Sequence, residues 1–331
     1  WHAEYANEDV RTGPMAMYCR QALADAFAKD VDYLFDITKK GFAFYAKTWG
    51  VPYPYAKYDQ IYVPEYNAGA MENIGMVTIR DQYVFESKVT DAYAERRVVT
   101  VLHELAHMWF GDYVTMKWWN DLWLNESFAE FTSTLATAEA TEWKDAWATF
   151  SSGEKSWALR QDQLSTTHPI VAPINDLNDT YVNFDGITYA KGASVLKQLV
   201  FYVGRDKFFQ GINNYLNKHA YANATLADLL AELELTSGRD LKAWSASGWS
   251  NPASTPSPPK CRRMRTAPSG SLYSGSPLPP NIWCCAPTVW PSVSTMRIRQ
   301  PAGSCAPISS SSTSMARPPW SRRLQARLAR R

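Results

Sequence analysis

The sequence predicts an α+β fold, mostly helical, in which a small sheet packs against helices. Three observations carry this prediction. Apolar side chains recur at helical spacing in residues 17–49. Two short stretches, residues 58–63 and 74–79, have the composition and pattern of strands. From Thr90 onward the pattern is again helical over most of the chain as far as Trp249.

The elements follow one another between recognisable start and stop signals. In the first helical stretch the apolar positions include Leu23, Ala26, Phe27, Val31, Leu34 and Phe35. This stretch ends before residues 51–55, because the prolines there cannot continue a helix. The strands Tyr58–Val63 and Ile74–Ile79 come next. The later predicted helices are residues 92–110, which end at Gly111, then 125–139, 145–159 and 192–203, and one that begins near Thr225.

Charge is distributed unevenly along the 331 residues. Residues 251–331 contain 12 Lys and Arg and no Asp or Glu, so the net charge of +2 for the whole chain leaves −10 for residues 1–250. A nucleic-acid-binding protein normally carries its basic surface on the folded part, so we expect no nucleic-acid partner. The chain has no apolar run of about 18 residues or more, so we also expect no membrane segment.

Cysteine usage bears on the compartment. Four of the five cysteines lie after residue 250, which leaves Cys19 as the single thiol of the first 250 residues. One thiol in so long a stretch is typical of a reducing compartment, and we expect a cytoplasmic protein.

The composition changes abruptly after Trp249. Fourteen of the 20 prolines lie in residues 252–319, among serine runs and without apolar periodicity, which is typical of disorder. Disordered segments are usually poor in Trp and Cys, yet this one contains Trp283-Cys284-Cys285 and Trp320. Trp and Cys codons begin with UG, and a shift by one base gives codons that end in UG and encode Leu, Val or Met. We therefore interpret residues 249–331 as a disordered tail and suspect a frameshift as its origin.

A metal site is predicted within the helix of residues 92–110. His103-Glu104-Leu105-Ala106-His107 places two histidines four positions apart, so both imidazoles lie on one helix face and can reach one ion. Zinc accepts two His nitrogens and a carboxylate, and Glu126, at the start of the next helix, is the candidate third ligand. Glu104 is placed to act as general base, taking a proton from the attacking water and passing it to the leaving amine. Glu130, one turn after Glu126, either orients a ligand histidine or is a surface carboxylate.

A second segment bears on how a substrate would be bound. Gly69-Ala70-Met71-Glu72-Asn73 lies about 30 residues before the metal-binding helix and beside strand-like sequence. An edge strand can pair with an extended peptide, and Gly69 permits close backbone approach. The Glu72 carboxylate can pair with a free α-ammonium, which would let only the first peptide bond reach the metal. From these residues alone, a surface turn with one acidic side chain is the alternative.

The two motifs together resemble those of the aminopeptidase N family of gluzincin zinc metallopeptidases. In both, Gly-Ala-Met-Glu-Asn precedes His-Glu-x-x-His, and a glutamate follows after eighteen residues. The resemblance extends from about Tyr18 to Trp249. It implies that His103, His107 and Glu126 hold one Zn²⁺, that Glu104 is the general base, and that Gly69, Ala70, Met71, Glu72 and Asn73 bind the substrate's free amine.

The same resemblance implies a tyrosine that stabilises the tetrahedral oxyanion. Tyr189-Ala190-Lys191-Gly192 fits the Tyr-x-Lys-Gly context of that residue, and a tyrosine donor suits a developing negative charge. The resemblance also implies a thermolysin-like zinc peptidase catalytic domain, which we expect at residues 17–248. Because family members are much longer, we expect residues 1–16 to be the remnant of a missing N-terminal β domain.

The sequence therefore predicts a zinc metalloaminopeptidase that acts on peptides with a free N-terminus. Two alternatives stay open. One is another zinc peptidase of the same superfamily, an endopeptidase or an enzyme of the leukotriene-hydrolase type, and a substrate amine bound by Glu72 would argue against it. The other is a truncated, inactive fragment of an aminopeptidase.

Overall fold

Five strands from residues 2–80 form a mixed sheet. The computed structural model describes residues 2–5 and 14–250. The strands are β1 (His2–Tyr5), β2 (Met15–Cys19), β3 (Asp59–Val63), β4 (Ala70–Met71) and β5 (Met76–Arg80). Their order is β1-β2-β3-β5-β4, with β2, β3 and β5 parallel and with β1 and β4 antiparallel to their neighbours. The short strand β4 is therefore an outer strand of the sheet as described.

The remaining elements are mostly helices. They are α1 (Ala24–Phe27), α2 (Val31–Trp49), α3 (Asp91–His107), α4 (Trp123–Ala140), α5 (Ala146–Ser152), α6 (Glu154–Asp162), α7 (Leu177–Val182), α8 (Gly192–Val203), α9 (Arg205–Lys218), α10 (Leu226–Ser237) and α11 (Lys242–Gly248). A π-helical turn, Ile187–Lys191, leads directly into α8. Two strands, β6 (Val114–Met116) and β7 (Ala222–Ala224), form a separate parallel pair. The predicted class, α+β and mostly helical, is confirmed. Within the described ranges, every helix is too short or too polar to cross a bilayer.

Buried aromatic side chains fix α2 against α3, the helix that carries the His-Glu-x-x-His motif. Tyr45 stacks on Trp49 with ring centroids 4.5 Å apart, and its hydroxyl donates a hydrogen bond of 2.8 Å to the carbonyl of Leu102. Gly41 lets the two helices approach closely, since a Cβ there would lie only 2.7 Å from Leu105 Cδ2. The position of α3 is thus set by packing and by a satisfied buried hydroxyl.

Two predicted helices differ in the structure, and each difference has a physical cause. The start of the stretch 17–49 belongs to β2, because this short buried segment pairs with strands on both sides, which periodicity alone does not reveal. The stretch 145–159 is broken at Gly153, whose φ of −94° and ψ of −80° lie outside helical geometry. The predicted start at Thr225 is present as a capping box with Asp228.

Trp249 belongs to the folded core, although the tail was predicted to begin at that residue. Its side chain is fully buried and lies against Trp123 with ring centroids 5.0 Å apart, a contact between residues distant in sequence. Residues 251–331, for which disorder and a frameshift were predicted, lie outside the described residues. At the other end, the predicted boundary after residue 16 falls inside β2, and the assignment of residues 1–16 to a separate domain stays a prediction.

Candidate metal centre and active site

Helices α3 and α4 bring together the three side chains that the sequence predicts as metal ligands. His103 and His107, one turn apart on α3, have ring centroids 4.7 Å apart. Glu126, in the first turn of α4, places Oε2 3.3 Å from Nε2 of each histidine. One ligand atom from each residue lies within 4.8 Å of the others, and all three residues are buried.

The other nitrogen of each imidazole explains why this arrangement fits a cation. Nδ1 of His107 lies 2.9 Å from the carbonyl oxygen of Phe110, and Nδ1 of His103 lies 3.3 Å from Oε2 of Glu130. Both partners are acceptors, so each neutral ring carries its proton on Nδ1. Both Nε2 atoms of the neutral rings then direct lone pairs at a carboxylate oxygen, which is unfavourable unless a proton or a metal cation lies between them. Two nitrogens and one carboxylate oxygen are a donor set that zinc accepts.

The pKa shifts of His103 and Glu126 also indicate a site that favours positive charge. Burial lowers the pKa of His103, but hydrogen bonds to Glu126 and Glu130 outweigh it and raise the pKa to about 9. Burial alone would raise the pKa of Glu126, yet the positive charge of His107 and contacts with both histidines lower it well below its usual value. The site therefore stabilises positive charge at the point where the three ligand atoms meet.

Glu104 lies beside this centre with its carboxyl group buried. Oε2 of Glu104 is shielded from solvent and has no hydrogen-bond partner among the described residues. Burial raises the pKa of Glu104 to about 7, although both histidines act to lower it. A carboxyl group with a pKa near neutrality can both accept and release a proton at physiological pH, as general acid–base chemistry requires.

The predicted amine-binding segment forms the outer strand of the sheet. Strand β4 pairs with β5, and its opposite edge faces away from the sheet. Glu72 follows β4 directly, and its Oε1 lies 3.9 Å from Nδ1 of His107. Glu72 and Glu104 also form a second group of converging donors with His107. The structure thus brings the carboxylate of Glu72 to the metal centre.

The other four residues of the segment differ in their positions. Gly69 and Ala70 line a cavity of about 240 Å³ that also contacts His103 and Glu104. The side chain of Met71 is partly exposed. Asn73 donates a hydrogen bond of 3.1 Å to Thr78 Oγ1 and so braces the turn between β4 and β5.

Tyr189 enters the same site from the π-helical turn. Its ring lies parallel to His103, with an interplanar angle of 10° and centroids 5.9 Å apart. Burial, reinforced by the nearby carboxylates of Glu126 and Glu104, raises the pKa of Tyr189 well above 10. The hydroxyl therefore keeps its proton and can donate it in a hydrogen bond.

Part of the cavity wall was not predicted from the sequence. Arg96 and Glu154 lie across the cavity and form an ion pair of 3.0 Å. Arg96 precedes His103 by two helical turns, so helical periodicity alone would have placed it on the same face of α3. Trp157 and Phe184 also line the cavity. They come from α6 and from the segment after α7, and no sequence pattern indicates that these elements reach the site.

Comparison with known proteins is consistent with this geometry. A family model described as the peptidase family M1 domain matches residues 33–249. The chain is 58% identical to aminopeptidase N of Streptomyces lividans over 246 residues, which are 74% of this chain and 28% of that protein. It is 42% identical to tricorn protease-interacting factor F2 of Thermoplasma volcanium over 66% of this chain and 29% of that one. For leucyl aminopeptidase of Saccharolobus solfataricus the identity is 42% over 62% of this chain and 26% of the relative.

The three relatives are much longer proteins, and the matched part of this chain spans less than a third of the length of each. The matched region contains the two helices that carry the candidate metal ligands, the cavity and Tyr189. On the extent of the family match and on the identity to these relatives, the chain belongs to peptidase family M1.

Proposed function

We propose that this chain is the catalytic part of a zinc metalloaminopeptidase that removes the N-terminal amino acid from peptides. The observation that carries the proposal is the convergence of His103, His107 and Glu126 beside two further carboxylates, Glu104 and Glu72. The names of two relatives, aminopeptidase N and leucyl aminopeptidase, support the same reaction.

His103, His107 and Glu126 would hold one Zn²⁺. When bound, zinc supplies a Lewis acid that polarises the scissile carbonyl and makes a water molecule more acidic. The protein prepares the ligands by fixing both imidazoles with acceptors at Nδ1, so that each Nε2 is free to bind. Glu130 thus serves as the orienting partner of His103.

Glu104 is the proposed general base and acid. Its buried carboxylate accepts a proton from the attacking water and then delivers it to the departing amine. The Tyr189 hydroxyl, which keeps its proton, donates a hydrogen bond to the oxyanion that forms at the scissile carbon.

Substrate binding is assigned to residues 69–73. The free edge of β4 offers main-chain groups to an extended peptide, and Glu72 binds the α-ammonium group by a charge-assisted hydrogen bond. A peptide anchored by its amine has its first peptide bond next to Glu104, which accounts for exopeptidase action. We also propose a cytoplasmic location, on the ground that Cys19 is the only thiol of the first 250 residues.

The domain arrangement is also proposed. Residues 17–248, extended by Trp249, form a thermolysin-like catalytic domain, and residues 1–16 derive from an N-terminal β domain. The match of residues 33–249 to one family model supports the first of these two assignments.

The proposed aminopeptidase activity is tested by measuring the cleavage of one peptide with a free N-terminus and of the same peptide with an acetylated N-terminus. The proteins compared are the wild type, Glu72→Ala and, as a control, Glu86→Ala. Glu86 is exposed, and it lies outside the site. We expect Glu72→Ala to abolish cleavage of free-amine peptides while zinc content stays the same, and Glu86→Ala to change neither. Equal cleavage of both peptides by the wild type would indicate an endopeptidase. Zinc binding with no cleavage of either would indicate an inactive fragment.

A further inference from the structure

The helix that carries Glu126 is hydrogen-bonded to the turn that carries Tyr189. The residue after Glu126 on α4, Ser127, donates a hydrogen bond of 2.5 Å from Oγ to the carbonyl oxygen of Thr188. Thr188 directly precedes Tyr189, whose ring lies parallel to His103 with centroids 5.9 Å apart. The bond thus joins a neighbour of Glu126 to a neighbour of Tyr189.

The hydrogen bond from Ser127 satisfies the carbonyl of Thr188, which lies within the π-helical turn. In a π-helix the hydrogen bonds run from residue i to residue i+5, which widens the turn, and such turns are frequent at functional sites. Ser127 and Thr188 are both buried, so water does not compete for the Thr188 carbonyl. Loss of the Ser127 hydroxyl would remove this partner from a carbonyl next to Tyr189.

Gly192 makes the close approach of the two elements possible. A Cβ at this position would overlap with Ser127 Oγ and would lie 2.8 Å from Ser127 Cβ. Any side chain at position 192 would therefore push the turn away from α4, and Tyr189 with it. Gly192 is needed here for the space it leaves, because its backbone is helical, with φ of −60°.

The opposite side of the turn is held by α6. Lys191 Nζ forms a buried ion pair of 2.8 Å with Asp162, and the Gln161 side chain accepts a hydrogen bond from the Gly186 N–H. The turn is therefore fixed from two sides, and Ser127 is the contact on the side of the metal centre.

We infer that Ser127 is a positioning residue, which through the Thr188 carbonyl holds the Tyr189 side chain in its position beside His103, and that Gly192 is its steric counterpart. This inference rests on the proposed function, because it assigns Tyr189 to the oxyanion. Ser127 itself touches neither substrate nor reacting atoms in this assignment.

The kinetic test is a double-mutant cycle in the full chain with Ser127→Ala and Tyr189→Phe. We expect Ser127→Ala to lower kcat about 10- to 100-fold, the range for small misplacement of a catalytic group, with little change in KM or zinc content. In the Tyr189→Phe background the same substitution should have no further effect. Independent, multiplicative losses would overturn the inference, because they would show that Ser127 does not act through Tyr189.

A binding measurement separates failure of this inference from failure of the proposed function. The probes are a dipeptide phosphinate, whose tetrahedral anion resembles the oxyanion, and the planar dipeptide amide of the same sequence, both with a free amine. Binding of both probes is measured by calorimetry. Ser127→Ala should weaken binding of the phosphinate as much as Tyr189→Phe does, and it should leave binding of the amide unchanged. If the wild type does not bind the phosphinate, the proposed function fails. If it binds and Ser127→Ala has no effect, only the positioning role fails.

The role of Gly192 as the residue that leaves space for Ser127 is tested with two variants. One is Gly192→Ala, and the other combines Gly192→Ala with Ser127→Gly, because Ser127→Gly removes the side-chain atoms that the new Cβ would overlap. Gly192→Ala should lower the melting temperature, and the double variant should recover much of the loss while keeping the low kcat of Ser127→Ala. If Gly192→Ala has the melting temperature of the wild type, residue 192 does not pack tightly against Ser127. If the double variant recovers the full kcat, the Ser127 hydroxyl does not position Tyr189.

Discussion

The carboxylate of Glu130 lies 3.3 Å from Nδ1 of His103, on the opposite side of the ring from the nitrogen that faces Glu126. This contact fixes which nitrogen of His103 carries the proton. We expect Glu130→Gln to weaken zinc binding about tenfold, at the lower end of the range for such partners, since the amide oxygen can still accept the hydrogen bond. Zinc competition against a chelator measures the change, and Glu86→Gln should leave the affinity unaltered.

Removal of the Glu104 carboxylate should separate catalysis from metal binding. In the proposed mechanism the buried Glu104 transfers the proton, while three other side chains would hold the metal. Glu104→Gln should lower kcat by roughly 100- to 10,000-fold, with one zinc still bound per chain. Near-normal turnover in a zinc-loaded variant would contradict the assignment.

Zinc should stabilise the fold, because it joins α3 to α4. At a free zinc concentration about 1,000-fold above Kd, binding contributes roughly 4 kcal/mol to the free energy of unfolding. For a domain of this size, that corresponds to a rise in Tm of about 10 °C. Chelation should reverse the rise, and His107→Ala should abolish the response to zinc. A wild-type Tm that is indifferent to both zinc and chelator would exclude a formed metal site.

The ion pair between His168 and Asp185 should make stability depend on pH. His168 Nε2 lies 3.0 Å from Asp185 Oδ2, and Nδ1 lies 2.7 Å from the Pro169 carbonyl. Burial lowers the pKa of His168, but these two contacts outweigh it, and the net shift is upward from 6.5. The stabilisation is therefore complete below pH 6.5 and is lost as pH rises through the higher pKa of the folded state.

The measurement for this prediction is the Tm of the wild type and of His168→Gln across that pH window. The wild type should be the more stable protein at low pH, and the difference should shrink as His168 loses its proton. Asp185→Asn should show the same trend. A difference that stays constant with pH would mean that His168 is not charged in the folded protein.

Trp249 should contribute strongly to stability even though it adjoins the tail. Its indole is fully buried against Trp123 and Trp244. Trp249→Ala should lower the free energy of unfolding by about 3–5 kcal/mol, the usual cost of removing a large buried aromatic. Chemical denaturation measures the loss, with the exposed Ser250→Ala as a control that should be nearly neutral. A small change in the free energy of unfolding for Trp249→Ala would show that this residue belongs to the tail and not to the folded core.

The sequence alone determined the local features of this protein. The spacing of His103 and His107 places both on one helix face, because α-helical geometry repeats every 3.6 residues. The capping box at Thr225 and the helix-breaking prolines after Trp49 likewise act over a few residues, so pattern is enough to predict them.

Only the tertiary structure decided which distant groups meet. The pairing of β2 with β3, the burial of Trp249, and the contact of Ser127 with Thr188 join segments between which the sequence shows no common pattern. The same is true of the ion pair between Arg96 and Glu154. The physical reason is that helix geometry and turn chemistry are local, whereas strand pairing and side-chain packing depend on the whole chain being folded.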